Sequence, residues 1–184
     1  MIMTTAMILK ELINYASPAD KLTRMVHNGE YIPIIKGLYE THINVTNLEK
    51  SITFYKEVLG LHFCHKEEKR RIAFFWIGKP KEFMLGLWEK PAEEMEKRHF
   101  AFRCDEEDIL NRSVKYLRER NLEPYNFLKD ESEKPMVFAW MPALAIYFND
   151  PDGNVLEFIA VLEGEAMPEL GVISYEEWKK SSNK

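Results

Sequence analysis

The period of the apolar positions changes along this chain, and the changes mark its elements. Early in the chain Met7, Leu9, Leu12, Ile13, Leu22 and Met25 recur at roughly helical spacing, with Val26 closing the run. Ser17-Pro18 interrupts it, and Ser17 or Asp20 can cap a second helix with Pro18 in its first turn. Asn28-Gly29 stops the pattern, and Pro33 and Gly37 mark a linker. Residues 1–36 therefore read as an N-terminal helical arm, whose simplest role is packing or dimerisation, because termini seldom carry chemistry.

From Gly37 the period becomes that of a strand, through Val45. Asn47 can cap an amphipathic helix from Leu48 to Leu59, with Ile52, Phe54, Tyr55 and Val58 along one side and Gly60 as its stop. Strands follow at Leu61–His65, Ile72–Ile77 and Phe83–Trp88, the last two joined across Gly78-Lys79-Pro80-Lys81. The order then repeats. Arg98–Cys104 is a strand, a helix runs from Asp105 or Glu106 to about Asn121, and strands lie at Met136–Met141, Ala143–Asn149 and Asn154–Leu162. Asp150-Pro151-Asp152-Gly153 turns the chain before the final one.

The internal repeat outweighs any single motif. Thr41-His42-Ile43-Asn44-Val45 lines up with Arg98-His99-Phe100-Ala101-Phe102, and Phe83–Trp88 with Val155–Ile159. The fold expected is α+β: two tandem βαβββ modules, about 37–90 and 97–162, forming a curved mixed β-sheet cleft, with an N-terminal helical arm. The domain proper is 37–162. Residues 163–184 form a C-terminal tail, with a short capped helix near Ser174–Trp178 packed on the outside.

Composition narrows the function. The 184 residues carry a net charge of −5 with both signs interspersed, which argues against nucleic acid as the main partner but leaves room for a local basic pocket. Cys64 and Cys104 form no CxxC pair, so reduced thiols in the cytosol are the simplest reading. The start of the chain lacks the pattern of a secretory signal, and no apolar stretch approaches the roughly 20 residues of a membrane span. A cytoplasmic protein with no membrane partner is expected.

Three residues carry candidate chemistry. His42 and His99 hold equivalent positions in the two repeats, and a pseudo-twofold relation brings them to the axis. Glu157 lies among apolar neighbours in the last strand, where a carboxylate is costly to bury unless it is paired or bound to a cation. Two imidazoles and a carboxylate would leave open coordination positions on a metal ion. Taken alone, a strand histidine is more often a core or surface residue than a ligand. His62 and His65, an odd offset apart on one strand, point to opposite faces and make no pair.

The stretch from Gly37 to Leu162 resembles the vicinal oxygen chelate superfamily, which includes glyoxalase I, fosfomycin-resistance thiol transferases, extradiol dioxygenases, methylmalonyl-CoA epimerase and bleomycin-binding proteins. The resemblance rests on His42 with the run Asn47–Leu61, on His99-Phe100-Ala101-Phe102, and on Tyr147–Glu157. It implies that His42, His99 and Glu157 ligate a divalent metal ion (Zn, Mn, Ni or Fe), that the substrate is a small molecule, and that the chain forms a homodimer. The fourth ligand of glyoxalase I falls near Gly86, which has no side chain to offer, so a three-ligand pattern fits better. Tyr147 matches a tyrosine that the fosfomycin proteins place ten residues before the glutamate. The serines of their phosphonate site are replaced by the apolar Trp140–Ala145, and Ala166 lies near the place of an expected arginine. An apolar or aromatic ligand therefore suits Trp140, Met141 and Tyr147 better than fosfomycin does.

By alternation Asn44 shares the face of His42, and Arg103 that of His99. Asn44 can bond substrate or a bound water. Arg103 can clamp a carboxylate or sit in an ordinary salt bridge. A metal-dependent lyase or thiol transferase is the first reading, with Glu157 also able to act as a base. An extradiol-type dioxygenase is the second, and a metal-free protein that sequesters a small drug or toxin is the third. An interaction subunit using the arm is a further possibility.

Overall fold

The computed structural model describes residues 34–182, together with two short strands, Val26–His27 (β1) and Glu30–Tyr31 (β2). The chain divides into two compact units after Leu38. In the first unit β1 and β2 pair antiparallel, with Val26 opposite Tyr31. Val26 thus departs from the helical pattern expected of it. The cross-strand pairing with Tyr31 requires extended backbone at Val26, which a helix cannot supply. The remainder of the expected helical arm lies outside the described residues.

The second unit holds two mixed sheets. β3 (Glu40–Val45), β4 (His62–Glu67), β5 (Ile72–Ile77) and β6 (Phe83–Glu89) form the first, in the order β3-β6-β5-β4. β7 (His99–Arg103), β8 (Met136–Phe138), β9 (Ala143–Asn149), β10 (Val155–Val161) and β11 (Val172–Ser174) form the second, in the order β11-β8-β9-β10-β7. In each module the opening strand runs parallel to the closing one, β3 beside β6 and β7 beside β10, and stands at the free edge of its sheet. Each crossover carries a helix, as parallel pairing requires. The expected repeat is therefore present, and β11 adds a strand from the segment read as an outer tail. The helix after it, α4 (Tyr175–Ser182), buries Trp178 in the core beneath the second sheet.

Local chemistry sets the first crossover. Asn47 accepts a hydrogen bond from Lys50 N at 3.0 Å and caps α1 (Leu48–Thr53). Glu89, at the end of β6, accepts from Leu48 N at 2.6 Å and takes a two-pronged grip from Arg71, at 2.9 Å on each oxygen. The helix then widens into a π turn over Phe54–Val58, where Leu59 N donates to Phe54 O. The second crossover departs from the single helix expected. It is α2 (Glu106–Asn111) and α3 (Ser113–Arg118), broken at Arg112. Ser113 donates its hydroxyl to Ile109 O at 2.6 Å, a back-bond that bends helices.

The strand alternation predicts the buried faces well. Ile43 and Val45 of β3 pack with Phe54, Tyr55 and Phe75, and the same core takes in Phe102 and Phe148 of the second module. The modules are fastened at the Asp150–Asn154 turn. The buried Asp150 accepts from Tyr55 Oη at 2.9 Å, Asn154 Nδ2 at 2.8 Å, and the backbone N–H groups of Asp152 and Asn154. Asp152 accepts from the backbone and hydroxyl of Thr46 and from Ser51. Among the described residues no helix is long and apolar enough to cross a membrane.

One strand breaks the alternation. His62 pairs with Trp76 and Phe63 with Phe75, but His65 pairs with Phe74, so Cys64 is an extra residue at a β-bulge. Trp76 and Phe74 share a face of β5, and His62 and His65 therefore share one too. The bulge overturns the opposite-face reading.

Tyr55→Phe removes one donor from a buried carboxylate and should lower stability by about 1.5–3 kcal/mol, read as a shift in urea midpoint. The Arg71 guanidinium holds Glu89 below its ordinary 4.5, with the Leu48 amide adding to the effect. A depressed folded-state pKa gives stability that is present above about pH 4.5 and is lost as pH falls through the lower folded value. Glu89→Gln should therefore flatten the acid limb of a stability–pH curve and leave its shape above pH 6 unchanged.

Candidate functional site

The free edges of the two sheets face a groove of about 570 Å³, lined from β3 by His42 and Asn44, from the end of β6 by Trp88 and Lys90, and from the start of β7 by Arg98 and His99. Asn154 stitches the edges together. Its Nδ2 donates to Asn44 O at 3.2 Å, and its Oδ1 accepts from Arg98 N at 2.9 Å. Both histidines picked from the repeat thus line one groove, beside Asn44.

His99 is built as a donor of electron pairs. Its Nδ1 lies 3.2 Å from Val155 O, a partner that can only accept, so the neutral ring carries its proton there. Nε2 is left with a lone pair, 3.0 Å from Glu157 Oε2. Two acceptors at that distance need a cation between them, either a proton or a metal ion. The spacing suits ligands on neighbouring coordination positions of a first-row metal, with bonds of about 2.1 Å each. Glu157 is almost fully buried, and its Oε1 has no hydrogen-bond partner. Burial raises its pKa, against the opposing pull of His99 and Tyr147. An orphaned buried carboxylate oxygen beside an imidazole lone pair fits a divalent cation.

Tyr147 sits opposite Glu157 on β9 and within ring contact of His99, at 5.8 Å. Burial and the adjacent Glu157 charge push its phenol well above the ordinary value, so it keeps its proton and remains a donor. Tyr125 stacks on it at 5.7 Å, and Phe127 flanks it at 6.5 Å.

His42 is arranged differently. Trp88 Nε1 donates to His42 Nδ1 at 2.5 Å, which places the neutral ring's proton on Nε2, 3.5 Å from Glu40 Oε1. Its one lone pair is already engaged. The ring lies directly over Gly86. A Cβ there would stand 2.7 Å from His42 Cε1 and closer still to Nδ1. The missing side chain at position 86 is therefore what leaves room for the His42 ring against β6. Among the described residues no group of three His, Cys, Asp or Glu side chains converges. The structure joins His99, Glu157 and Tyr147 and holds His42 apart with Trp88.

Of the four expected substrate residues only Asn44 lines the groove; Tyr147 stands behind His99, beside Glu157, and the other two lie farther off. Arg103 stands on the open face of β7 opposite Ile159, and Trp140 is half exposed in the tight turn after β8, edge-on to Phe138 at 6.3 Å. The strand expected over Met136–Met141 ends at Phe138, which moves Trp140 into that turn. Trp88, Lys90 and Arg98 were not singled out from the sequence. Strand alternation with Asn44, the cross-strand partner of Trp88, was the available signal for Trp88.

The profile of the glyoxalase/bleomycin resistance protein/dioxygenase superfamily matches residues 37–158. Among solved structures, an integron cassette protein from the mobile metagenome of the Halifax Harbour sewage outfall is 35% identical over 68% of this chain and 99% of that one, with a TM-score of 0.58. Lactoylglutathione lyase from Agrobacterium tumefaciens is 19% identical over 69% of this chain and 95% of its own, at 0.53. The fosfomycin resistance protein FosX from Listeria monocytogenes is 18% identical over 69% and 94%, at 0.52. The last two likenesses are of fold.

Gly86→Ala should force the His42 ring off the sheet and break its bond to Trp88, at a cost of about 1–3 kcal/mol. The Trp88 indole N–H resonance should move upfield in a ¹⁵N spectrum. An unmoved resonance with unchanged stability would refute this account of position 86.

Proposed function

Because the chain belongs to the glyoxalase/bleomycin resistance protein/dioxygenase superfamily, we propose that it is a divalent-metal-dependent enzyme of the glyoxalase or fosfomycin-resistance type. It acts on a small oxygen-chelating organic substrate as a lyase or thiol transferase. The observation that carries this reading is the His99–Glu157 pair: an imidazole fixed with its Nε2 lone pair turned to a buried carboxylate whose other oxygen has no partner.

His99 Nε2 and the Glu157 carboxylate would hold the ion. His42 joins them once its bond to Trp88 is released, or from a second copy of the chain in a homodimer. The bound ion supplies Lewis acidity toward a substrate oxygen. The Val155 carbonyl keeps the His99 ring in one tautomer and orientation. Glu157 Oε1, buried and without a partner, is the atom placed to take and return a proton. Tyr147 Oη, which retains its proton, donates toward the oxygen at which charge develops. Tyr125 and Phe127 close the apolar side of the site and keep water from Tyr147.

One observation favours a second reading, a metal-free protein that binds a small molecule: the His42 lone pair is already taken by Trp88. Metal content separates the two. Purified protein should hold close to one equivalent of Mn, Ni, Zn or Fe per chain by elemental analysis. His99→Ala and Glu157→Ala should weaken binding by more than the roughly 10–100-fold that loss of an outer partner costs, and His42→Ala should weaken it measurably. Wild-type protein that takes up no metal under any loading condition would leave the binding-protein reading standing and end the enzymatic one.

A further inference from the structure

The groove is electrically unlike the chain that forms it. The protein has 30 acidic residues against 25 basic ones. Yet the groove lining includes Lys90, Arg98 and both imidazoles, and the carboxylates nearest to it, Glu40 and Glu157, stand behind the imidazoles at 3.5 and 3.0 Å. The backbones of the two permanent cations are anchored close to neighbouring residues of β3. Lys90 N donates to Val45 O at 2.9 Å, which fixes Lys90 beside the end of β3. Arg98 N donates to Asn154 Oδ1, whose side chain also binds Asn44 O, the residue next to Val45. Arg98 O accepts from Val155 N at 2.8 Å. Both cations therefore spring from backbone that is hydrogen-bonded in place, and Asn154 ties their positions to each other.

Among the described residues each cation has only a solvent-exposed acidic partner. Lys90 Nζ lies 3.8 Å from Glu94, at the loose end of an ion pair, and Arg98 pairs with Glu96 where both are more than half exposed. Exposed pairs of this kind are worth little and yield to a competing anion. The aromatic walls are Trp88 and Phe100, both half-buried, with Trp88 steadied by its bond to His42. Two cations and two aromatic side chains in one lining describe a ligand with one acid group and a flat apolar body.

We propose that the groove binds a small organic anion, with Lys90 and Arg98 gripping its acid group and Trp88 and Phe100 flanking its carbon frame. The proposal deepens the reading of this groove as the substrate cleft and rests on it for relevance to turnover, since His99 lines the same space. Lys90 and Arg98 are then specificity-determining residues.

Benzoate and benzamide, alike in shape and different in charge, test it on the full chain stripped of metal by chelation. Calorimetric or ligand-observed NMR titration should show benzoate bound at least about tenfold more tightly than benzamide. The doubly substituted Lys90→Gln/Arg98→Gln protein should lose that preference, and Lys90→Arg/Arg98→Lys should keep it. Both variants should match wild type in thermal midpoint and in Mn(II) binding, because neither side chain touches His99 or Glu157. Equal affinity for the two probes in wild type, or a preference that survives in the Gln variant, would overturn the proposal whatever the metal result. Loss of metal binding by wild type would instead count against the enzymatic reading, with the benzoate comparison still decisive for the anion.

Discussion

A buried carboxylate organises this molecule. Asp150 gathers four donors from its own turn and from the opposite module, and an uncompensated charge at that depth would cost several kcal/mol. Its partners are therefore obligatory, and they fix geometry. Tyr55 must point across from the first crossover. The backbone of the turn must curl so that Asn154 faces inward. Asn154 can then span the two sheet edges, with one end on Asn44 and the other on Arg98. The width of the groove follows from the length of an asparagine side chain. Shape complementarity in the shared core supplies the bulk of the cohesion, and the polar clasp supplies the register.

The two repeats use equivalent histidines in unlike ways. His99 has its proton drawn to a carbonyl on the neighbouring strand, while His42 has its acceptor nitrogen covered by an indole. The difference comes from the closing strand of each module. Where β10 brings Glu157 into the neighbourhood of His99, β6 brings Gly86 and Trp88 to His42. One site gains a carboxylate, and the other gains room for its ring and a hydrogen-bond donor. The sequence repeat sets where the histidines stand, and the residues beside them decide what each nitrogen is free to do.

Much of this was legible beforehand, for identifiable reasons. Strands such as Ile72–Ile77 and Ala143–Asn149 are strongly patterned. Asn47 is a cap whose partner lies three residues away, and a duplicated His-bearing strand followed by a helix admits few topologies. The features that escaped depend on contacts distant in sequence or on single-residue irregularities. The bend at Arg112 comes from a serine hydroxyl bonding backward, which apolar spacing does not register. β11 becomes a strand because β8 offers an unpaired edge, with Ile173 opposite Val137. Trp88 shows its role only when β6 is laid beside β3, and Trp140 left the cleft when its strand stopped at Phe138. Lys90 and Arg98 are ordinary surface cations in the sequence, and only the fold brings them into the lining of one groove.

The bulge at Cys64 has a consequence at the level of the gene. A strand is read by parity, and one extra residue shifts the parity of everything on one side of it. Loss of the single codon for Cys64 would leave the reading frame intact and shorten the chain by one residue. The pairings would not move: Phe63 would still stand opposite Phe75, and His62 opposite Trp76, because the lost residue had no partner of its own. At this position a deletion would therefore regularise the edge strand and keep His62 and His65 on one face. Loss of a paired residue would instead shift the parity on one side and turn those side chains over.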